Sequence, residues 1–392
     1  MSARGQADVA VVGAGVVGAA CALALADAGL EVVLVEAGEP ARWQAERRDL
    51  RVFAFAPDNA TLLDALGVWP RIARARAHAY RRMRVWDAAG GGELRFDADA
   101  FGVRELGWIV ENGLLVDRLW AALPAAGVRV HSPARVAALA QDAQGVRLQL
   151  DDGGRVAARI AVAADGAQSS LRRLAGIDSD AHDYRQRGIV AYVRTEQPHD
   201  DTAWQRFLPG GPLAVLPCDG GLGSIVWSVP EEDAARLLAL DEDAFAGELT
   251  RAFDARLGRM TLASQRAAFP LRRQLARQYV AGRVLLVGDA AHVVHPLAGQ
   301  GVNLGLRDVA ALRETVRAAR GARADWGAPQ RLARWARTRR SENAVAAHAF
   351  EGLQRLFGDG GVATTLLRGP LLGLAGRMPA LAHLLWRHAS GA

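Results

Sequence analysis

The stretch DVAVVGAGVVGAACALALADAGLEVVLVE, residues 8–36, decides the fold. DVAVVG (8–13) is a short, near-continuous apolar run, as in a parallel strand buried on both faces. VVGAACALALADAGL (16–30) takes helical spacing, with small residues that permit close packing. Gly29 stands where a helix C-cap is wanted. EVVLVE (31–36) reads as a second buried strand. Within this β-α-β unit, Gly13-Ala14-Gly15-Val16-Val17-Gly18 is G-x-G-x-x-G. The pattern alone is weak, but here it follows a strand, opens a helix and precedes an acid at the end of the next strand. Gly13 allows the tight turn, Gly15 lets a pyrophosphate approach the backbone, and Gly18 lets helix and strand pack closely. The helix N-terminus adds unpaired N–H groups and a partial positive charge. Glu36 can accept hydrogen bonds from ribose hydroxyls. The competing reading is a glycine turn with no ligand.

Two further motifs lie downstream. In Ala164-Asp165-Gly166-Ala167-Gln168-Ser169-Ser170-Leu171-Arg172 a strand ends and a helix begins. Taken alone it is explained by an Asp-Gly turn with a serine cap. In GDAAHVVHPLAGQGVNLGLRD (288–308), Gly288 and Asp289 follow the buried run RVLLV, so the carboxylate falls at a strand's carboxyl end, where α/β ligands bind. Gly299, Gly301 and Gly305 bracket a helix start, which can aim several N–H groups at one anionic group. His292 and His295 invite a metal reading. Their spacing across a proline-containing loop, with no third ligand paired to them, favours loop packing.

The remaining chain sets bounds. It has 392 residues, 51% hydrophobic and 23% charged, which describes a globular protein with ample core. It contains no lysine, so its 48 basic residues are all arginine, which excludes a P-loop. The net charge of +6 permits anionic cofactors, nucleic acid or acidic lipid; the arginines are dispersed, which argues against nucleic acid. Cys21 and Cys218 form no CxxC; Cys21 falls in an apolar helix pattern, and a reducing cytoplasm fits. The N-terminus enters a strand at once, leaving no room for a signal peptide. The apolar C-terminal region is interrupted by Arg368, Pro370, Arg377 and Pro379, so it lacks the ~20 clean residues of a spanning helix.

Helical patterns are expected at 57–80, 113–126 and 231–258, and from Asn303 onward. Residues 129–166 read as a strand, a hairpin at Asp151–Gly154 and another buried strand; 186–229 is strand-rich. The expected fold is α/β: a Rossmann-like dinucleotide domain (1–75, 101–180 and 276–340), an inserted mixed β-sheet substrate domain (76–100 and 181–275) and a C-terminal helical region (341–392).

The three motifs in this order, GxGxxG, DGxxSxxR and GDAAHxxxPxxGQGxN, resemble the class A flavin-dependent aromatic hydroxylases, the FAD monooxygenases related to 4-hydroxybenzoate hydroxylase. The resemblance runs from about residue 7 to about 345. HPLAGQGVNLGLRD (295–308), RVFAFAPDNATLLDALGVW (51–69) and RFLPGGPLAVLP (206–217) are similar to the ubiquinone-biosynthesis hydroxylase subfamily, as is the tail MPALAHLLWRHASG. This resemblance implies that Gly13, Gly15, Gly18 and Glu36 hold the ADP half of FAD. Arg51 matches an arginine near pyrophosphate and flavin. Asp165 and Gly166 match a motif linked to FAD and NAD(P)H use. Gly288 and Asp289 would meet the ribityl and pyrophosphate region. Pro296 through Asn303 (Pro296, Gly299, Gln300, Gly301, Val302, Asn303) would wrap the isoalloxazine ring. Val116 and Gly113 depart from the family, standing where a glutamine and an arginine are common.

The resemblance further implies a reaction in which NAD(P)H reduces FAD, O2 gives a C4a-hydroperoxyflavin, and its distal oxygen attacks an electron-rich phenol, here a prenylated ubiquinone precursor. Tyr184, His182 and Tyr192 are candidates for a base by position only. Trp108, Trp204 and Trp227 are candidate pocket residues, with core packing as the plainer alternative. Apolar, arginine-edged C-terminal helices are consistent with a peripheral membrane or partner contact at the inner face of the membrane. A soluble aromatic substrate, a flavin reductase or halogenase, and a non-catalytic dinucleotide-binding protein remain the alternatives.

Overall fold

The computed structural model describes residues 6–88, 92–294 and 301–358. Strand Ala7–Val12, helix α1 (Val16–Asp27) and strand Val32–Val35 form the expected β-α-β unit. The two strands are parallel, with Val9 beside Val32 and Val12 beside Val35. Small residues let α1 sink into the core, where Ala19 through Ala22 are wholly buried. Each fully buried valine or leucine in these elements contributes about 2 kcal/mol. Gly29 takes φ +83° and closes α1; its N–H returns to Ala26 O, and that of Leu30 to Leu25 O.

Five parallel strands make the centre of the first sheet: Val284–Leu286, Arg155–Ala163, Ala7–Val12, Val32–Val35 and Arg129–His131, in that order. The stretch 129–166 holds one more hairpin than the sequence suggested. Strands Val136–Gln141 and Val146–Leu150 are joined by a turn in which Asp142 Oδ1 accepts from Gln144 N–H at 2.8 Å and Gly145 N–H at 3.2 Å.

The helical pattern at 57–80 is broken. It contains α2 (Pro57–Ala65) and α3 (Trp69–Arg76), then strand Ala77–Tyr80. Gly67, at φ +70°, separates the helices. The strand forms because Gly107–Glu111 pairs with it on one side and with Val52–Phe55 on the other. Long-range pairing thus overrides local helical preference. Gly107–Glu111 leads directly into α4 (Asn112–Ala122).

After α5 (Ser170–Leu174) the chain enters a nine-stranded sheet built around Ser179–Thr195, Leu222–Pro230, Gly211–Cys218 and Thr202–Leu208. Arg82–Asp87 and Glu93–Asp97 extend one edge; Ala267–Ala276 and His292–Val293 extend the other. Helices α6 (Glu231–Ala239) and α7 (Glu242–Ala252) cover one face, over a core containing Trp86, Trp204, Trp227, Phe245 and Phe253. The opposite face carries Tyr192, Ala203, Ala214 and Leu216 against Ala54 and Ile109 of the three-stranded sheet. Helices α8 (Gly301–Gly321) and α9 (Pro329–Gly358) complete the described chain. No helix among the described residues is long and apolar enough to cross a membrane. Most of the C-terminal region, 359–392, lies outside the described residues.

Candidate functional site

The three glycines of the first turn have three different environments. Gly13 takes φ +95°, and a Cβ there would lie 2.4 Å from Ala164 O. A Cβ on Gly18 would lie 1.9 Å from Gly13 O. A Cβ on Gly15 would meet nothing within 4 Å. Gly13 and Gly18 are thus required by the fold, while Gly15 borders open space. Gly15 is the N-cap of α1 and offers no side chain to bond the orphan N–H groups of the first turn. An anionic group fits there. Glu36 closes the same turn: its carboxylate accepts from the N–H of Ala14, and from that of Gly38 at 3.2 Å. Trp120 Nε1 donates to Ala14 O at 2.8 Å, a contact the sequence did not suggest.

The second glycine turn packs directly on the first. Gly288 takes φ +58°, and a Cβ there would lie 3.0 Å from Val17 Cγ1. A Cβ on Gly305 would lie 2.6 Å from Val17 Cγ2 and 3.0 Å from Gly288 Cα. These contacts bring the N-terminal turns of α1 and α8 together with the 288–290 turn. Asp289 is half-buried at their junction, and its carboxylate has no hydrogen-bond partner among the described residues.

Asp308, at the end of the quoted stretch, is fully buried. It bonds His292 Nε2 at 2.6 Å and Arg339 Nε at 2.8 Å. Burial would raise its carboxyl pKa, but the neighbouring His292 and Arg339 more than offset this and hold it below the ordinary carboxylate value. His292 is therefore bound within the protein, in keeping with a packing role. His295, Pro296, Gly299 and Gln300 lie outside the described residues.

Asp165 is consumed locally. Its carboxylate accepts from the Ser169 hydroxyl, from the Ser170 hydroxyl at 3.1 Å and from Leu171 N–H at 3.1 Å. Arg172 then ties this motif to the second glycine turn, donating to Ala290 O at 2.9 Å. Gly166 takes φ +82° with open space where a Cβ would stand. The side chain of Asp165 thus holds the turn, and the backbone at Gly166 borders open space.

Asn303 also works through its side chain. Its Oδ1 accepts from Ala56 N–H at 3.1 Å and Asn59 Nδ2 at 3.0 Å; its Nδ2 donates to Ala54 O at 2.8 Å. These bonds fix the first turn of α8 against Val52–Phe55 and α2. They occupy the Asn303 side chain, and its backbone oxygen also accepts from Asn59 Nδ2 at 3.3 Å. Arg51, on the coil before Val52, is exposed, with its guanidinium 5.4 Å from the Phe53 ring. None of the bonds that join the glycine turns to one another involves it.

The residues preceding Arg51 are stitched down by a buried acid that sequence reasoning missed. Glu111 accepts from Arg76 at 2.8 Å and from Trp43 Nε1 at 3.0 Å. The guanidinium groups of Arg76 and Arg118 lie 5.0 and 5.4 Å from the Trp43 ring. Gly113 donates its N–H to Asp49 at 2.9 Å, and Val116 packs on the core.

The aromatic candidates resolve mostly into packing. Tyr192 is buried, and its hydroxyl donates to Asp49 O at 2.9 Å; burial pushes its pKa well above the usual phenol value. His182 is exposed, 4.9 Å from the Tyr184 ring. Trp108 packs edge-on to Trp69 at 5.0 Å. Cys21 is buried, which raises its thiol pKa to about 12.

A parallel sheet, a bare glycine turn at a helix start and an acid on the neighbouring strand define a dinucleotide-binding protein of the Rossmann type. The chain belongs to the FAD binding domain family, whose model matches residues 6–346. Ubiquinone hydroxylase UbiL of Rhodospirillum rubrum is 39% identical to it, over 100% of this chain and 91% of that protein. The 3-demethoxyubiquinol 3-hydroxylase of Escherichia coli is 38% identical, over 86% of each chain. Among solved structures, p-nitrophenol 4-monooxygenase PnpA from Pseudomonas putida shares the fold, with a TM-score of 0.78, 98% coverage of both chains and 20% identity. The family resemblance carried by the three motifs is borne out.

Proposed function

We propose that this protein is an FAD-dependent, NAD(P)H-using monooxygenase that hydroxylates the aromatic ring of a ubiquinone precursor. The observation that carries this reading is the full-length relationship to a protein named ubiquinone hydroxylase. The open space at Gly15, between two sterically closed glycines, supports cofactor binding in this chain itself.

When bound, FAD supplies the chemistry that activates O2 with electrons from NAD(P)H. The protein's part is binding, orientation and exclusion of water. In this reading Gly13, Gly15 and Gly18 seat the pyrophosphate against the α1 N-terminus, and Glu36 takes ribose hydroxyls. Gly288 and Asp289 meet the chain between phosphate and ring, with Gly166 beside them and Arg51 at the outer rim. The backbone from Gly301 to Asn303, continuing Pro296, Gly299 and Gln300, offers N–H donors to the ring's polar edge. In this reading the aromatic substrate is taken up by the nine-stranded sheet. Residues 1–75, 101–180 and 276–340 form the cofactor unit in this reading, and 76–100 with 181–275 the substrate unit. A prenylated substrate also calls for a peripheral membrane or partner contact, which the reading assigns to the C-terminal region.

The test supplies purified protein with FAD, NAD(P)H, O2 and candidate phenols, and analyses products by mass spectrometry. One added oxygen on a ubiquinone precursor supports the proposal. Gene deletion checks the pathway: unchanged ubiquinone with no accumulating precursor, in a strain without a second hydroxylase, would overturn it. Turnover of soluble phenols alone would move the assignment to aromatic catabolism.

A further inference from the structure

The buried carboxylate of Asp308 is bonded on both oxygens, each to a different segment. Oδ2 accepts from Gly288 N–H at 3.1 Å and His292 Nε2 at 2.6 Å. Oδ1 accepts from Arg339 Nε at 2.8 Å and Asn343 Nδ2 at 2.9 Å. The first pair flanks Asp289 in the second glycine turn; the second pair lies on α9. Among the described residues His292 Nδ1 is buried without a partner, and Asp308 is the hydrogen-bond partner that orients that ring. Asp308, His292 and Asn343 are 0–1% exposed, so water cannot substitute for a lost partner.

We propose that Asp308 is a positioning residue that couples the cofactor turn at Gly288–Ala291 to the docking of α9, so that FAD binding and α9 anchoring strengthen each other. The inference rests on the flavoprotein reading above. A buried carboxylate is tolerated only when its charge and lone pairs are compensated, and removing some partners weakens the hold on the rest. The turn and α9 therefore share one bonded centre. Gly288, in the left-handed region, has its N–H fixed by Oδ2, and this sets the backbone that presents Asp289. Any ligand that orders the turn favours the docked α9, and by linkage docked α9 favours the ligand by the same factor.

The experiment uses the full chain freed of FAD. FAD is titrated by quenching of flavin fluorescence, and amide exchange of residues 331–348 is followed with and without FAD. Arg339→Met and Asn343→Leu change only the α9 side of the centre. Circular dichroism and thermal melts confirm folding, and titrations are run well below each midpoint. FAD is expected to slow exchange in α9 of the wild type. Each variant is expected to weaken FAD binding on the order of tenfold. Arg339→Lys, which keeps a cationic donor, recovers part of that loss. A purely structural role would lower the melting midpoint and leave the affinity of the folded protein unchanged. The proposal fails if wild-type protein binds FAD, α9 exchange ignores it and folded variants bind it equally well. Wild-type protein that binds no FAD overturns the flavoprotein reading together with this inference.

Discussion

The side-chain amide of Asn59 donates to Oδ1 of Asn303 at 3.0 Å, and both residues are buried. This bond joins α2 to the first turn of α8. Replacing Asn303 with leucine strands Ala56 N–H and Ala54 C=O, and leaves the Asn59 amide only its 3.3 Å bond to the Asn303 backbone oxygen. The expected cost is about 3 kcal/mol, since each unsatisfied buried group costs roughly 1–3 kcal/mol. Chemical denaturation measures it, and a loss below about 1 kcal/mol would show that the groups find other partners.

The glycine turn makes a graded prediction. Gly15→Ala places its methyl in open space, so the fold tolerates it while FAD affinity falls. Gly18→Ala drives a methyl into Gly13 O, and Gly13→Ala adds a strained φ of +95°, so both lower the melting midpoint. Parallel melts and FAD titrations separate the two effects. Equal melting losses in all three variants would refute the distinction.

Asp308 gives a pH signature. Burial raises its carboxyl pKa, but His292 and Arg339 outweigh this and hold it below the ordinary 3.8. A carboxyl depressed by folding stabilises the fold above its unfolded value; that contribution is lost as pH falls through the folded value. Asp308→Asn is therefore expected to cost about 3 kcal/mol at neutral pH, the lower end of the range for breaking a buried pair. Its stability curve converges on the wild type below pH 3.8. Denaturation profiles that stay parallel through that window would contradict the assignment.

Tyr192 was a positional candidate for a base, yet its hydroxyl is committed to Asp49 O, and burial keeps it protonated. Tyr192→Phe is expected to cost about 1 kcal/mol for the lost hydrogen bond. The pH profile of kcat/KM should be unchanged. Disappearance of an ionisation from that profile would restore Tyr192 to the reaction.

Local rules carried part of the candidate site further than motif matching alone. The sequence separated the roles of Gly13, Gly15 and Gly18, and the Cβ environments reproduce that separation. His292 was expected to pack, and it does so on Asp308. Asp165 was the ambiguous case. Its serine-cap reading describes its side chain, because Ser169, Ser170 and Leu171 lie within a few residues and occupy both oxygens. The sequence reads as helix through Ala77–Tyr80 because the strand's pairing partner, Gly107–Glu111, lies well downstream.

The sequence by itself determined the β-α-β unit, the closure of α1 at Gly29 and the bare turn at Gly15. Periodicity and backbone sterics act over a few residues and can be read in order along the chain. Only the tertiary structure decided that Asn303 acts through Ala54 and Asn59, that Glu111 gathers Arg76 and Trp43, and that Asp308 joins the Gly288 turn to α9. The physical reason is the cost of burying a polar group. Each must find its partners wherever packing places them, and that placement is a property of the whole fold.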